Sequence, residues 1–430
     1  MDAARPIAND RPNAAIGETM STASQEWRRN WRVVVGSAIG IASGLSVWSF
    51  VVSSFVQPQQ QAFGWSRGEM ALAFNASIVA AFLSPLAGRL TDRFGVRPVL
   101  LTAMILLGLD YIAMANMNRS LALYYVLYSV QTVIGLGTTG ITFARAVTSW
   151  FEASRGLALA GSRIGLGAIG GALPLLVYGA IARFGWQGGY YAMAALALGV
   201  GLPVSWFLVH ERQAAPMPVS PGSVARAKGQ RFWLDLVTDW RVVALCLAGG
   251  LTYGPLIGIL GQLQPILTDR GIEAGAAAEL RGLLAAAVFA ATVLTGFFLD
   301  RFWAPLVACL ATLGPVLGCL LLASAQSTFG LGAAILLIGI AQGAEINILA
   351  YLTARYFGMR AYSTIYGLNV MTISLFSAAG GALFGQAYDR FGDYREVLLV
   401  GAVCFALSAL CYLAMGRYPV APEGTAAQPA

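Results

Sequence analysis

The chain has 430 residues, 57% hydrophobic and 11% charged, with a net charge of +7, and its mean hydropathy is +0.68. A soluble domain carries about 25% charged residues, so no water-facing surface can be built from this sequence, and a soluble enzyme or soluble binding module is excluded. The positive balance does not call for nucleic acid either, because no basic, aromatic-bearing soluble module accompanies it.

The first 27 residues are polar, contain acids, and lack both an apolar run and a small-residue cleavage site. They read as a disordered cytoplasmic tail and not as a secretory signal. Residues 28–209 then hold six apolar stretches, helices 1 to 6, near 33–56, 70–91, 98–117, 121–145, 155–181 and 188–209. A polar connector at 210–239 carries Pro216, Pro218, Pro221 and the only lysine, Lys228, and is too short to be a domain. Residues 240–417 hold helices 7 to 12, near 241–266, 276–299, 304–325, 328–353, 362–388 and 394–416, before a Pro- and Ala-rich tail at 418–430 that is expected to be unstructured. Each stretch is long enough to cross a hydrocarbon core of ~30 Å as a helix. No period-two alternation runs through them, so a lipid-spanning barrel is ruled out and an all-α membrane protein of twelve transmembrane helices is expected.

Orientation follows from the charges. Of the 27 Lys and Arg, seven (Arg67, Arg119, Arg183, Arg270, Arg281, Arg390 and Arg395) fall on one set of loops and Arg163 falls within a span, which leaves 19 on the other set and its flanking tails. Positive residues are retained on the cytoplasmic side, so both termini are expected inside.

The halves repeat. Trp31-Arg32-Val33-Val34 recurs as Trp240-Arg241-Val242-Val243, and Asp92-Arg93-Phe94 recurs as Asp300-Arg301-Phe302. Phe151 and Gly161 meet Phe357 and Gly367, and Arg183-Phe184-Gly185 meets Arg390-Phe391-Gly392, with the spacing held at 206 to 209 residues throughout. Four anchors in one order imply two six-helix bundles in parallel repeat, an arrangement that places a site near the bilayer midplane between them.

Gly88-Arg89-Leu90-Thr91-Asp92-Arg93-Phe94-Gly95-Val96-Arg97, between helices 2 and 3, resembles the loop signature of the major facilitator superfamily, and Gly296 to Phe302 resembles its degenerate second copy. Phe63-Gly64-Trp65-Ser66-Arg67, Trp150-Phe151 with Arg155-Gly156-Leu157-Ala158-Leu159, Gly343-Ala344-Glu345, Tyr356-Phe357-Gly358 and Tyr366-Gly367 are similar to bacterial members of the monocarboxylate and oxalate transporter group. The resemblance implies the major facilitator fold and a secondary active transporter in the cell inner membrane, monomeric, without cofactor or enzymatic activity. It would move a small organic anion, a carboxylate, by alternating access, coupled to protons or by exchange. A carrier or exporter of a neutral or bulky metabolite, or of a toxic compound, is the alternative. The chain departs from drug/proton antiporters of the superfamily, since Gln131 precedes Ile134-Gly135-Leu136-Gly137 and helix 5 reads Gly170-Gly171-Ala172 where they carry a Gly-Pro pair. It also departs from the animal monocarboxylate carriers, because Leu283 to Gly296 of helix 8 is uncharged.

The candidate site residues are few. A charge at a helix centre costs about 2.5–3.5 kcal/mol on insertion scales, and Asp110, Arg163 and Glu345 each bear one. Arg163 and Glu345 lie at similar depth, so they are expected either to bridge the halves in one state or to divide the work, Arg163 holding the anion and Glu345 taking a proton. Gln342 and Asn347 share the helix of Glu345; Tyr253, Gln262 and Gln264 are read as hydrogen-bonding groups near the centre of helix 7; Gln131, Trp48 and Tyr128 complete the candidate walls. Asp110, on a peripheral helix, is read as structurally paired. Gly88, Asp92, Arg93, Arg97, Arg145, Asp300 and Arg301 are the gating candidates, with Asp92 expected to pair with Arg145 and to face the N-terminus of helix 11 near Ser363. Gly156, Gly161, Gly165, Gly167, Gly170 and Gly171 in helix 5, and Gly380, Gly381 and Gly385 in helix 11, are read as small-residue faces for close helix approach. The cysteines Cys246, Cys309, Cys319, Cys404 and Cys411 form no CxxC pair and read as small buried hydrophobes, so neither metal nor redox chemistry is expected.

Overall fold

The structure, a computed structural model, describes residues 11–212, 236, 238–325 and 327–418. Most of the connector and of the C-terminal tail thus lies outside the described residues. Among the described residues ten helices are long and apolar enough to cross a membrane, and a pair bent by 50°, Thr22–Ile41 and Leu45–Phe63, adds an eleventh. The twelfth comes from Arg155–Leu208, whose 54 residues would run about 80 Å at 1.5 Å per residue. Gly185 divides it with φ 73° and ψ −176°.

In chain order, α1 is Arg11–Ile41 with Trp48–Phe63, α2 is Arg67–Leu72 with Ala76–Phe94 and α3 is Val96–Ala115. Helix α4 is Leu121–Gly135 with Gly140–Trp150, α5 is 155–184 and α6 is 186–208. The second half has α7 Trp240–Thr268, α8 Ala274–Arg301, α9 Ala304–Ser324, α10 Thr328–Phe357, α11 Tyr362–Phe391 and α12 Arg395–Ala414. Exposed Phe207, Leu176 and Phe329, at 75%, 67% and 88%, make sense only with lipid as solvent. The protein is a multi-pass membrane protein with the twelve-helix architecture that the hydropathy and the repeat predict.

Local chemistry sets the boundaries. Gly64 closes α1 in the left-handed region at φ 79°, and Ser66 opens α2 with a capping box in which Ser66 Oγ accepts from Glu69 N–H while the Glu69 carboxylate accepts from Ser66 N–H. The repeat is visible in the backbone as well. Gly185 and Gly392, each following Arg-Phe, have φ of 73° and 72°, a conformation open to glycine at no steric cost.

The N-terminal expectation is corrected. Helix α1 begins at Arg11, where disorder was expected to residue 27. The Glu26 carboxylate accepts from the backbone N–H groups of Glu152, Ala153 and Ser154 at 3.1 to 3.2 Å and from Ser154 Oγ at 3.1 Å, and Trp27 packs on Phe151 at 5.2 Å. These N–H groups belong to the turn that leads into α5, with Ser154 its N-cap, and have no intrahelical acceptor. A contact 126 residues away in sequence, invisible to local pattern, satisfies them.

The buried core explains the shape. One cluster joins both halves, from Val33, Phe143 and Leu159 to Leu245, Ile348 and Tyr362. A second is drawn from the first half alone, around Trp48, Phe55 and Tyr190, and a third from the second half alone, around Leu256, Ile335 and Phe405. The core is therefore continuous at the end where α2 finishes and α11 begins, and it splits in two toward the other end.

Candidate functional site

At the joined end, helix α2 brings Asp92 against the start of α11. Its carboxylate accepts from the N–H of Ser363 (3.0 Å), the N–H of Thr364 (2.8 Å) and Thr364 Oγ1 (2.6 Å), and it pairs with Arg145. Arg145, on α4, also bonds Glu211 at 2.7 Å and donates to the Met359 carbonyl at 2.8 Å. The Glu211 carboxylate in turn accepts from Val96 N–H at 3.1 Å. Two carboxylates around one guanidinium leave a net negative charge, and the positive N-terminus of α11 offsets it. The repeat supplies a counterpart, since the Asp300 carboxylate accepts from Gly156 N–H (2.6 Å) and Leu157 N–H (3.0 Å) at the start of α5.

Backbones touch along this seam. A Cβ on Gly88 would strike the Ser363 carbonyl, one on Gly156 would strike Gly296, and one on Gly367 would strike Ser84; Ser84 Oγ donates to the Gly367 carbonyl at 2.8 Å. Contact extends from Asp92 to Ser84, eight residues or about 12 Å along α2. Beyond it the halves part. Gly167, Gly171 and Gly179 of α5 and Gly381 and Gly385 of α11 meet nothing within 4 Å of a built Cβ. The small-residue faces are thus split: Gly156, Gly161 and Gly165 pack tightly, while Gly167, Gly171, Gly381 and Gly385 border open space.

The other gating candidates sit elsewhere. Arg97 lies over the Trp206 ring at 5.6 Å and donates to its carbonyl, Arg93 lies over Phe94 at 5.3 Å, and all three of Arg93, Arg97 and Arg301 are exposed, away from the seam.

Arg163 stands where the seam ends. It is half-buried, its Nη2 donates to the Tyr366 hydroxyl at 3.4 Å, and Nη2 lies 3.0 Å from a Cβ built on Gly140. Among the described residues no carboxylate lies within ion-pair distance of it. Gly140 starts the second segment of α4, so a guanidinium and a positive helix terminus share one place. The break in α4 abuts the break in α1: Leu45 N–H donates to Thr138 Oγ1 at 2.9 Å, and Gly44 presses on Thr138. Discontinuous helices at mid-depth are where transporters expose backbone dipoles to a solute.

In this conformation Arg163 and Glu345 are not paired. Glu345 is fully buried, and its Oε1 accepts from Tyr412 Oη at 2.5 Å. The nearby Thr252 hydroxyl is engaged with Ser408 Oγ (2.8 Å) and the Ala248 carbonyl (3.0 Å), and among the described residues Oε2 has no hydrogen bond. Glu345 therefore points into the second bundle, among α7, α10 and α12. Tyr253 lies within electrostatic reach of both Glu345 and Arg163.

Other placements also differ from expectation. Asn347 donates to the Thr292 carbonyl at 3.1 Å, tying α10 to α8, whereas Gln342 is half-buried. Gln262 lies 22 residues into α7, about 33 Å from its start, and accepts from Tyr394 Oη at 3.1 Å; it and Gln264 are near the end of that helix, because α7 starts at Trp240 and twenty residues already cross the bilayer. Asp110 is 5% exposed, and neither carboxylate oxygen has a partner among the described residues, so the expected pairing is absent. Gln131 donates to Tyr111 Oη at 3.4 Å. Trp48 Nε1 donates to Tyr128 Oη at 3.3 Å. Pattern reasoning missed Glu26, Glu211, Tyr366 and Tyr412. An acid or phenol next to a helix end or mid-span was the available signal, but their partners lie 66 to 203 residues away.

Residues 37–381 match the family described as Major Facilitator Superfamily, and the chain belongs to it. Over 406 residues it is 25% identical to monocarboxylate transporter 11 of Homo sapiens, covering 90% of this chain and 83% of that protein. It is 26% identical over 406 residues to the 2-nitroimidazole transporter of Escherichia coli (strain K12), covering 90% and 96%. Among solved structures, a bacterial homologue of the iron transporter ferroportin in an outward-facing state superposes with a TM-score of 0.68 at 17% identity, covering 89% of this chain and 98% of that one. The protein is a transporter of this superfamily.

Proposed function

We propose that the chain is a secondary active transporter of a small organic anion of the carboxylate class. It works by alternating access in the cell inner membrane, as a monomer with both termini cytoplasmic, and draws on protons or exchange. The observation that carries the anion is Arg163: a cation where the seam between the bundles ends, beside a helix N-terminus, with one phenol and, among the described residues, no carboxylate as partner. The similarity to a protein named as a monocarboxylate transporter supports the same class. In this reading the joined end is the cytoplasmic gate, held by Asp92, Arg145 and Asp300, and the split end opens outward. Uptake into proteoliposomes with an imposed pH gradient tests it. Short aliphatic carboxylates are expected to accumulate while neutral solutes of equal size do not; neutral solutes carried as well as the anions would overturn the assignment.

The gate reading has its own test. Asp92→Asn removes the charge that faces Arg145 and the α11 N-terminus, and hydrogen bonds to charged groups contribute about 1.5–3 kcal/mol each. Transport is expected to fall at least about tenfold, with the amount of protein in the membrane unchanged and a cysteine placed at Ser84 more readily labelled by a maleimide. An undiminished rate sinks the gate.

A second reading, a carrier or exporter of a neutral metabolite or toxic compound, is favoured by the similarity to a protein named as a 2-nitroimidazole transporter and by an aromatic cavity in the first bundle.

A further inference from the structure

Above Arg163, toward the split end, α1, α2, α4 and α6 enclose a cavity of about 220 Å³. Its walls include Trp48, Phe55, Phe74, Tyr124 and Tyr190, with Gln59 the single amide. The rings already meet one another in aromatic geometry: Phe55 and Tyr190 at 4.3 Å, Trp48 and Tyr190 stacked at 5.9 Å. Two of the polar donors are spent internally. Gln59 Nε2 donates to Tyr190 Oη at 3.0 Å, and Trp48 Nε1 donates to Tyr128 Oη. Among the described residues no charged side chain lines the space, and a charge moved into such surroundings without a partner is heavily penalised.

We propose that this cavity is a binding site for a single planar aromatic ring, belonging to a ligand whose ring-bearing end is uncharged. Rings supply flat faces and electropositive edges that suit another ring. An apolar cavity of about 150 Å³ is known to take benzene, so 220 Å³ holds one ring with a small substituent. Phe74, 45% exposed, leaves the mouth open. Arg163 is not among the residues that line the space, so ring capture is a step distinct from charge capture. It selects an aromatic member of the solute class before the solute moves deeper. The inference rests on the carrier reading only for this onward path.

The test is calorimetry on the full-length protein in lipid nanodiscs with benzamide and cyclohexanecarboxamide, which share size and polar group but not the flat ring. Benzamide is expected to bind at least about tenfold tighter. Ala71→Phe fills the cavity from α2 and is expected to weaken benzamide at least about tenfold, and Phe74→Leu, which keeps most of the volume but removes a ring, to weaken it several-fold. Uptake of a short aliphatic carboxylate by the unmodified protein reports separately on the carrier reading. Equal affinity for the two amides, or benzamide binding untouched by both substitutions, overturns the proposal.

Discussion

Replacing Arg163 by glutamine is expected to lower carboxylate uptake at least about 100-fold in kcat/KM, some 2.7 kcal/mol of lost interaction. The size follows from the setting. A bidentate guanidinium–carboxylate contact is charge-assisted and roughly twice as strong as a neutral hydrogen bond, and here nothing among the described residues competes for it except the Tyr366 hydroxyl. Lysine keeps the charge but loses the planar fork, so Arg163→Lys should recover only part of the loss. Folding is not at stake, because Arg163 contributes one hydrogen bond of 3.4 Å and removing a mid-span charge eases insertion. Uptake rates in proteoliposomes, normalised to inserted protein, check the result. A glutamine variant that transports carboxylates at the original rate would remove the anion site.

The architecture was legible because lipid enforces it. Twelve apolar stretches, the anchors repeated at 206 to 209 residues and the signature around Asp92 are all local patterns, and each has a backbone counterpart, such as the paired left-handed glycines Gly185 and Gly392. The site was legible only by residue type. An arginine and a glutamate at equal depth suggested a pair, but depth along a helix does not give the direction a side chain faces. Helix α10 turns Glu345 inward toward Tyr412, while Arg163 on α5 faces the seam. Gln262 was misplaced for a related reason: α7 runs 29 residues, so its last turns stand beyond the bilayer centre. The Asp92–Arg145 contact could be anticipated because both residues sit at helix ends on one face. Glu211 and Glu26 could not, since polar residues next to a connector or tail look solvated until the fold brings an orphan helix terminus to them.

Glu345→Gln is expected to abolish the extra uptake produced by an inward proton gradient while leaving exchange of internal for external solute intact. The side chain is fully buried, with one oxygen bonded to Tyr412 and the other unpartnered. Leaving a carboxylate charged and unpaired in such a place costs several kcal/mol, so the group can carry charge only in a conformation that hydrates it or brings a cation to it. In the proposed alternating-access cycle, Arg163 is the cation expected to meet that charge. Glutamine has the shape of the acid and can still accept from Tyr412, but it cannot release a proton, so the carrier is held in the neutral form. Two measurements separate this role from a purely structural one. A coupling acid gives a variant that exchanges but no longer responds to the gradient, whereas an acid that never ionises gives a variant equal to the original in both uptake assays. Thermal stability should hold or rise in either case, because the substitution removes no packing volume. A fall in stability together with loss of exchange would mean instead that the acid's proton is donated to a partner within the bundle, and that Glu345 holds α10 in place and does not drive transport.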